Sequence, residues 1–116
     1  MGSKKVLEPF KIFDNQAVTG TTPYTSAIVN VKNLDNIGIQ INWVGTNAGY
    51  FDVYCSIDGE NYYTLTFLNA LAEAVGSDDG FLLSLNQLPF NFVKLVYNNT
   101  TGDGILNAVI NGKDIN

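Results

Sequence analysis

The side chains of this chain that could take part in chemistry are mainly carboxylates, and most of them lie in short polar turns. Asp58 is followed by Gly59, a pair typical of a tight hairpin, and Asp103 lies between two glycines. Asp78 and Asp79 follow one another in a glycine-containing loop, where two carboxylates can bind a calcium ion. Because the spacing of an EF-hand loop is absent, we predict a solvated connection and no metal site.

Other residue types that commonly carry catalysis are missing. All six cationic residues are lysines, so the sequence has neither histidine, the commonest general base, nor arginine, the usual bidentate phosphate clamp. The single cysteine, Cys55, lies in an alternating apolar run, and there is no histidine to ionise it. We therefore expect no enzyme activity, no cofactor and no metal requirement.

The composition disfavours two classes of partner, nucleic acids and anionic lipid surfaces. The net charge is −5, which disfavours binding to nucleic acid and to anionic lipid surfaces, since both need clustered cations. Charged residues make up only 15% of the chain, so much of the polar surface must come from uncharged side chains such as the fifteen asparagines. No run reaches transmembrane length, and no apolar signal core follows the lysines near the N-terminus.

The length of 116 residues fits one domain over residues 1–116. We expect residues 1–8 to form a flexible N-terminal arm or to include a remnant of cloning, since Met1-Gly2-Ser3 is compatible with either a native start or a vector sequence.

Strand patterns dominate the rest of the chain, and they predict an all-β fold: an antiparallel β-sandwich or jelly roll of about eight strands. The predicted strands cover residues 10–18, 24–31, 37–43, 50–57, 62–66, 81–85, 92–97 and 105–110. We expect the strands over 37–43, 50–57 and 62–66 to form a meander. Residues 67–75 fit a short helix or a loop, and residues 98–104 fit a turn that also explains the two glycosylation-like sequons there.

Period-2 alternation also predicts which side chains are buried. The expected core residues are Ile37, Ile39, Ile41, Trp43, Phe51, Val53, Val93 and Leu95.

Four tyrosines are the candidate interface residues. Tyr50 and Tyr54 alternate with the predicted core positions, and Tyr62 and Tyr63 follow across the Asp58 hairpin. Exposed tyrosine on a sheet contacts either a protein partner or a sugar ring. The alternative is that both faces of the sheet are covered.

The chain resembles small virion structural proteins of tailed bacteriophages from Trp43 to Lys113, about two-thirds of its length. The residues that carry the resemblance are Trp43-Val44-Gly45-Thr46, Gly49-Tyr50-Phe51-Asp52-Val53, Ser56-Ile57-Asp58-Gly59, Leu88-Pro89, Val93-Lys94-Leu95-Val96-Tyr97, Thr101-Gly102-Asp103-Gly104-Ile105-Leu106 and Ile110-Asn111-Gly112-Lys113. Lys94 stands where that group usually has arginine, and the turn at Thr101 also departs from its usual sequence. The resemblance implies a structural part of the particle, such as a capsid decoration or head–tail accessory protein.

A second resemblance, to discoidin-like jelly rolls that bind carbohydrate or lipid headgroups, rests on the Ser56 to Tyr62 hairpin, the Val93-Lys94-Leu95 strand and the C-terminal Gly112-Lys113. Those modules are normally longer and often carry basic residues or histidine at the ligand rim. Our prediction is therefore a non-enzymatic virion protein, made in the host cytoplasm, that docks on a phage capsid or tail protein or on copies of itself. A carbohydrate-binding module is the alternative.

Overall fold

The computed structural model describes residues 6–64, 73–74, 79–86 and 88–113, and every regular element in that part of the chain is a β-strand. Strands form where apolar and polar residues alternate, because alternate side chains then share one buried face. The strands are β1 (Val6–Val18), β2 (Pro23–Thr25), β3 (Val29–Asn30), β4 (Asn36–Gly45), β5 (Ala48–Ser56), β6 (Tyr63–Thr64), β7 (Glu73–Ala74), β8 (Asp79–Asn86), β9 (Phe92–Thr101) and β10 (Gly104–Lys113). Among these residues there is no helix that could span a membrane.

The part of the chain that the structure describes forms two antiparallel sheets, which confirms the predicted β-sandwich. One has four strands in the order β1-β10-β4-β8. The other has six strands in the order β2-β9-β5-β6, with β3 also paired to β9 and β7 to β5. The strand pairings within both sheets are antiparallel.

The core lies between the sheets, and all eight predicted core residues are buried in it. Its centre is aromatic: the Phe51 ring lies 4.7 Å from that of Tyr97 and 6.1 Å from that of Trp43, measured between centroids. Tilted rings at these separations add to the stabilisation from burial alone. Trp43 comes from the four-stranded sheet and Phe51 from the six-stranded one, so this contact holds the two sheets together.

The predicted meander over β4, β5 and β6 is wrong in its first half. β4 pairs with β10 and β8, whereas β5 pairs with β9, β6 and β7, so the link at Thr46 and Asn47 crosses from one sheet to the other. A positive φ of 131° at Gly45 turns the chain at this corner. Two consecutive strands show the same apolar–polar alternation whether they pair in one sheet or face each other across the core. The sequence pattern therefore did not distinguish these two arrangements.

The turn predicted over residues 98–104 is shorter than expected. β9 continues to Thr101, and Asn98 and Asn99 pair with β5 in the ladder. Asn99 is buried and its side chain is hydrogen-bonded inside the protein, so Asn99 and the sequon that it begins are part of the strand and not of a turn. Ladder pairing overrides the turn preference of asparagine here, and only Gly102 and Asp103 separate β9 from β10.

Three further boundaries differ from prediction. Residues 6–8 were expected in an N-terminal arm, but Val6 and Leu7 pair with the end of β10, where Leu7 packs on the core. The strand predicted over 24–31 is divided into β2 and β3, because Ser26 bonds through its backbone and hydroxyl to Leu95 and Ala27 bonds to β1. The run predicted as a short helix or loop, residues 67–75, contains strand β7, which pairs with β5; the rest of that run and residues 65–66 lie outside the described residues.

Candidate functional site

Two of the four candidate tyrosines meet on the outer surface of the six-stranded sheet. Tyr54 points outward from β5 and is paired with Lys94 of β9. The Lys94 ammonium lies 5.9 Å from the centre of the Tyr54 ring and 4.4 Å from that of Tyr62, within reach of cation–π attraction. Lys94 therefore holds both rings in place and lends a positive charge to the cluster.

Tyr50 lies on the same surface, two outward positions away from Tyr54 along β5. It is 45% exposed, and Asp52 between the two tyrosines accepts a hydrogen bond from Asn98 at 3.2 Å. Strand geometry puts Tyr50 about 13 Å from Tyr54. We call the surface formed by Tyr50, Tyr54, Tyr62 and Lys94 the tyrosine face.

Tyr63 is separated from the other three tyrosines. It pairs with Cys55, whose side chain is buried, and it borders a cavity of about 530 Å³ at one end of the six-stranded sheet. Pro89 and Phe90 form another part of the lining. The cavity is within the size range of small-molecule sites. Burial raises the pKa of the Cys55 thiol to about 12, so at neutral pH it is protonated and lines the cavity as a small apolar group.

The polar edge of this cavity is the Asp58 turn. The carboxylate of Asp58 accepts hydrogen bonds from the backbone N–H groups of Asn61 and Glu60, from the Asn61 amide and from the Ser56 hydroxyl, at 2.8–2.9 Å. These bonds, the backbone pair first, hold the pKa of Asp58 well below its usual range. The turn is thus built around an ionised carboxylate; the Asp58-Gly59 pair predicted a tight hairpin here, but the connection between β5 and β6 runs over residues 57–62 and is longer than that.

We expect the contribution of the Asp58 turn to stability to decline progressively as the pH falls below about 4. Because the folded pKa is depressed, the stabilisation is complete above the unfolded pKa of about 4 and is lost as the pH falls through the folded value. Carboxyl chemical shifts followed by NMR from pH 7 to pH 1.5 check this. Titration of Asp58 at an ordinary aspartate pKa would contradict the hydrogen-bond set.

At the other end of the sandwich, the β4–β5 and β9–β10 connections, which both cross between the sheets, are hydrogen-bonded to each other. The backbone N–H of Thr46 donates to the carbonyl of Asp103 at 2.9 Å. Beneath them the Asn47 amide donates to the Tyr97 hydroxyl at 3.1 Å, and that hydroxyl donates to Asn99 at 2.9 Å. Asn99 in turn donates to the carbonyls of Gly20 and Gly102. All three side chains are buried, so this is a structural network and not an accessible site.

Sequence reasoning missed both Lys94 as a member of the tyrosine face and the cavity beside Tyr63. The position of Lys94 could have been predicted, because Lys94 stands between the buried residues Val93 and Leu95 and must point outward. The cavity could not, since its lining comes from β5, β6 and the segment before β9. Of the Asp78-Asp79 pair predicted to lie in a loop, Asp79 is the first residue of strand β8, and Asp78 lies outside the described residues. Within the described residues, no three histidine, cysteine or acidic side chains cluster around a possible cation position.

Comparison with known proteins places the chain in a fold class. No family model and no curated protein sequence matches it. The solved SPBc2 prophage-derived protein YomS is similar, with a TM-score of 0.59 at 13% identity over 96% of both chains. The VP2 subviral particle of infectious bursal disease virus gives a TM-score of 0.62 at 12% identity, over 95% of this chain and 32% of that one.

A structure of Bacillus endospore appendages, a family of disulfide-linked pili, gives a TM-score of 0.54 at 11% identity over 99% of this chain and 93% of that one. This chain spans about a third of the viral protein and nearly the whole of the other two. At such low identity these similarities establish one thing: the chain is an antiparallel β-sandwich of a kind shared by these proteins.

Proposed function

We propose that this chain is a non-enzymatic structural protein of a bacteriophage particle, which docks on a capsid or tail protein through the tyrosine face. The observation that carries the proposal is the pair of tyrosine rings, Tyr54 and Tyr62, held around Lys94 on the outer surface of a rigid sheet. Tyrosine offers a large contact area with little conformational entropy to lose, and it is enriched where interfaces bind most tightly.

The fold supports this proposal without identifying the partner. A prophage-derived protein has the same fold over 96% of its length, and so does part of a protein that forms subviral particles. The residue types present support a role without turnover, because the sequence has no histidine or arginine and the Asp58 carboxylate is engaged in its turn. Mass spectrometry of purified particles, with the copy number per virion, tests the proposal. Absence of the protein from the particles would refute it.

Replacing Tyr54 with alanine is expected to weaken co-purification with the capsid or tail partner by about 10-fold or more, the usual effect at an interface hot spot. The fold should survive, because Tyr54 lies on the outer surface and not in the core. Pull-down from lysates of phage-infected cells, quantified against wild type, measures the loss.

Tyr63→Ala is the matched control, since Tyr63 is 72% exposed but faces the cavity and not the tyrosine face. Docking through the tyrosine face requires that Tyr63→Ala bind the partner as wild type does. Equal losses for the two variants would show that the tyrosine face is not the contact.

Carbohydrate binding is the second candidate, and the cavity favours it. Tyr63 supplies exposed aromatic surface on which a sugar ring can stack, and Asn61 and Asp58 supply polar atoms at the edge. A glycan array tests this candidate with the same two variants. Saturable binding lost in Tyr63→Ala but kept in Tyr54→Ala would favour the carbohydrate module over docking through the tyrosine face.

A further inference from the structure

The outer surface of the four-stranded sheet is unusual in its charge. Three adjacent strands contribute to it, and residues 36–45 of β4, 80–86 of β8 and 104–112 of β10 contain no aspartate, glutamate or lysine. The chain as a whole has 17 charged residues, 11 acidic and 6 basic, all of which lie elsewhere. Depletion of charge is a mark of the buried centre of protein interfaces. We call the outward-facing side of these three stretches the uncharged face.

Apolar side chains are exposed on the uncharged face. Val44 and Ile105 are paired across β4 and β10, and they are 54% and 44% exposed. Leu82, on the edge strand β8, is 69% exposed. Between these aliphatic groups lie amides such as Gln40 and Asn42, and each amide can both donate and accept a hydrogen bond.

The uncharged face also has a groove next to a protruding side chain. Gly38 has no side chain, and at this point the surface dips into a groove of about 200 Å³ that is bordered by Leu82, Gln40, Val109 and Asn111. Leu82 pairs with Gln40 across β8 and β4, so a protruding aliphatic side chain stands directly beside a depression. A two-fold axis between them would place the Leu82 of each molecule in the groove of the other, as an isologous interface requires.

We propose that the uncharged face is a self-association surface, on which a second copy of this chain packs face to face with the first. Charge selects this partner: two molecules of net charge −5 repel each other, and the uncharged face is where they can approach without burying unpaired carboxylates. Amides and aliphatic groups are complementary to their own kind, so no oppositely charged partner is needed.

The available area is sufficient. Taken together with the adjoining edge strand β1, the uncharged face spans four strands spaced about 4.8 Å apart and about 33 Å long, which offer about 600 Å² on each molecule. A pair therefore buries about 1,200 Å², at the lower end of specific interfaces. Lys11 and Asp14 of β1, which form an exposed ion pair at 3.5 Å, then lie at the rim, where charges are usual. The inference does not rest on the virion proposal, because it concerns the purified chain alone.

Sedimentation equilibrium of the full chain, from about 1 µM to about 1 mM, tests the proposal by its dimerisation constant. Leu82→Glu puts two like charges into the interface and removes the protruding side chain, so we expect the dissociation constant to rise at least about 10-fold. Gln40→Glu adds a carboxylate with almost no change of shape and should weaken the dimer in the same direction. Both positions are exposed, which protects the fold.

Ile57→Glu is the matched control, since Ile57 is also 69% exposed but lies in the turn between β5 and β6, away from the uncharged face. It should dimerise as wild type does. An equimolar mixture of Gln40→Glu and Gln40→Lys should associate more tightly than either variant alone. A wild-type chain that stays monomeric at about 1 mM, or a dimer that Ile57→Glu disrupts as strongly as Leu82→Glu, would overturn the proposal.

Discussion

Replacing Phe51 with alanine is expected to lower the free energy of unfolding by about 3–5 kcal/mol, one of the two largest effects of a single substitution that we predict for this chain. Phe51 is fully buried, and its ring contacts those of Trp43 and Tyr97. The loss combines the burial of an aromatic ring with the cavity that alanine leaves between the two sheets. A domain of this size should then melt about 10–20 °C lower.

Urea unfolding measures this loss, and the single tryptophan provides the signal. Trp43 is buried beside Phe51, so its fluorescence reports directly on separation of the sheets. Ile57→Ala is the control: Ile57 is an exposed aliphatic residue in the turn after β5, outside both proposed contact faces, and its truncation should change stability by less than about 0.5 kcal/mol. A loss below about 1 kcal/mol for Phe51→Ala would contradict the packing described for the core centre.

Tyr97→Phe is expected to cost about 2–4 kcal/mol although it removes a single oxygen atom. The Tyr97 hydroxyl accepts from the Asn47 amide and donates to Asn99, and all three side chains are buried. Without the hydroxyl, one donor and one acceptor are left unpaired away from water, and each costs about 1–3 kcal/mol. Burial also raises the pKa of the Tyr97 phenol, although the Asn47 donor opposes the shift, so the hydroxyl keeps its proton.

Chemical denaturation of Tyr97→Phe and of the control Tyr24→Phe compares the free energy of unfolding lost from the buried network with that lost from an exposed tyrosine hydroxyl. The Tyr24 hydroxyl also has two hydrogen bonds, both to the backbone of Thr19, but they lie in an exposed region. Water can replace them, so Tyr24→Phe should lose less than about 1 kcal/mol. Similar losses for the two variants would mean that the network between the corners contributes no more than a surface contact.

The candidate site was predictable only in part. Alternation in the strand from Tyr50 to Ile57 was enough to place Tyr50 and Tyr54 outward, and Tyr50 is indeed exposed while Tyr54 is half-buried. It did not reveal that Lys94 holds Tyr54 and Tyr62, because cross-strand neighbours depend on register. The separation of Tyr63 from Tyr62 could have been predicted, since adjacent residues of a strand face opposite sides of the sheet, but the sequence analysis grouped them together.

By itself, the sequence determined the properties that depend on local pattern and composition. Period-2 alternation specified the strands and their buried sides, so the all-β class and all eight predicted core residues followed from it. The acidic turn at Asp58 was likewise predictable, because an aspartate followed by glycine makes its own local hydrogen bonds.

Only the tertiary structure decided which strands are neighbours. β4 and β5 are separated by two residues, yet they lie in different sheets, as do β9 and β10. The reason is that both sides of a sandwich bury alternate residues, so a hairpin and a sheet-crossing corner have the same hydrophobic pattern. The corners are decided by contacts distant in sequence, such as Thr46 with Asp103 and Asn47 with Tyr97. The same pairing across distant strands assembles the tyrosine face and the uncharged face.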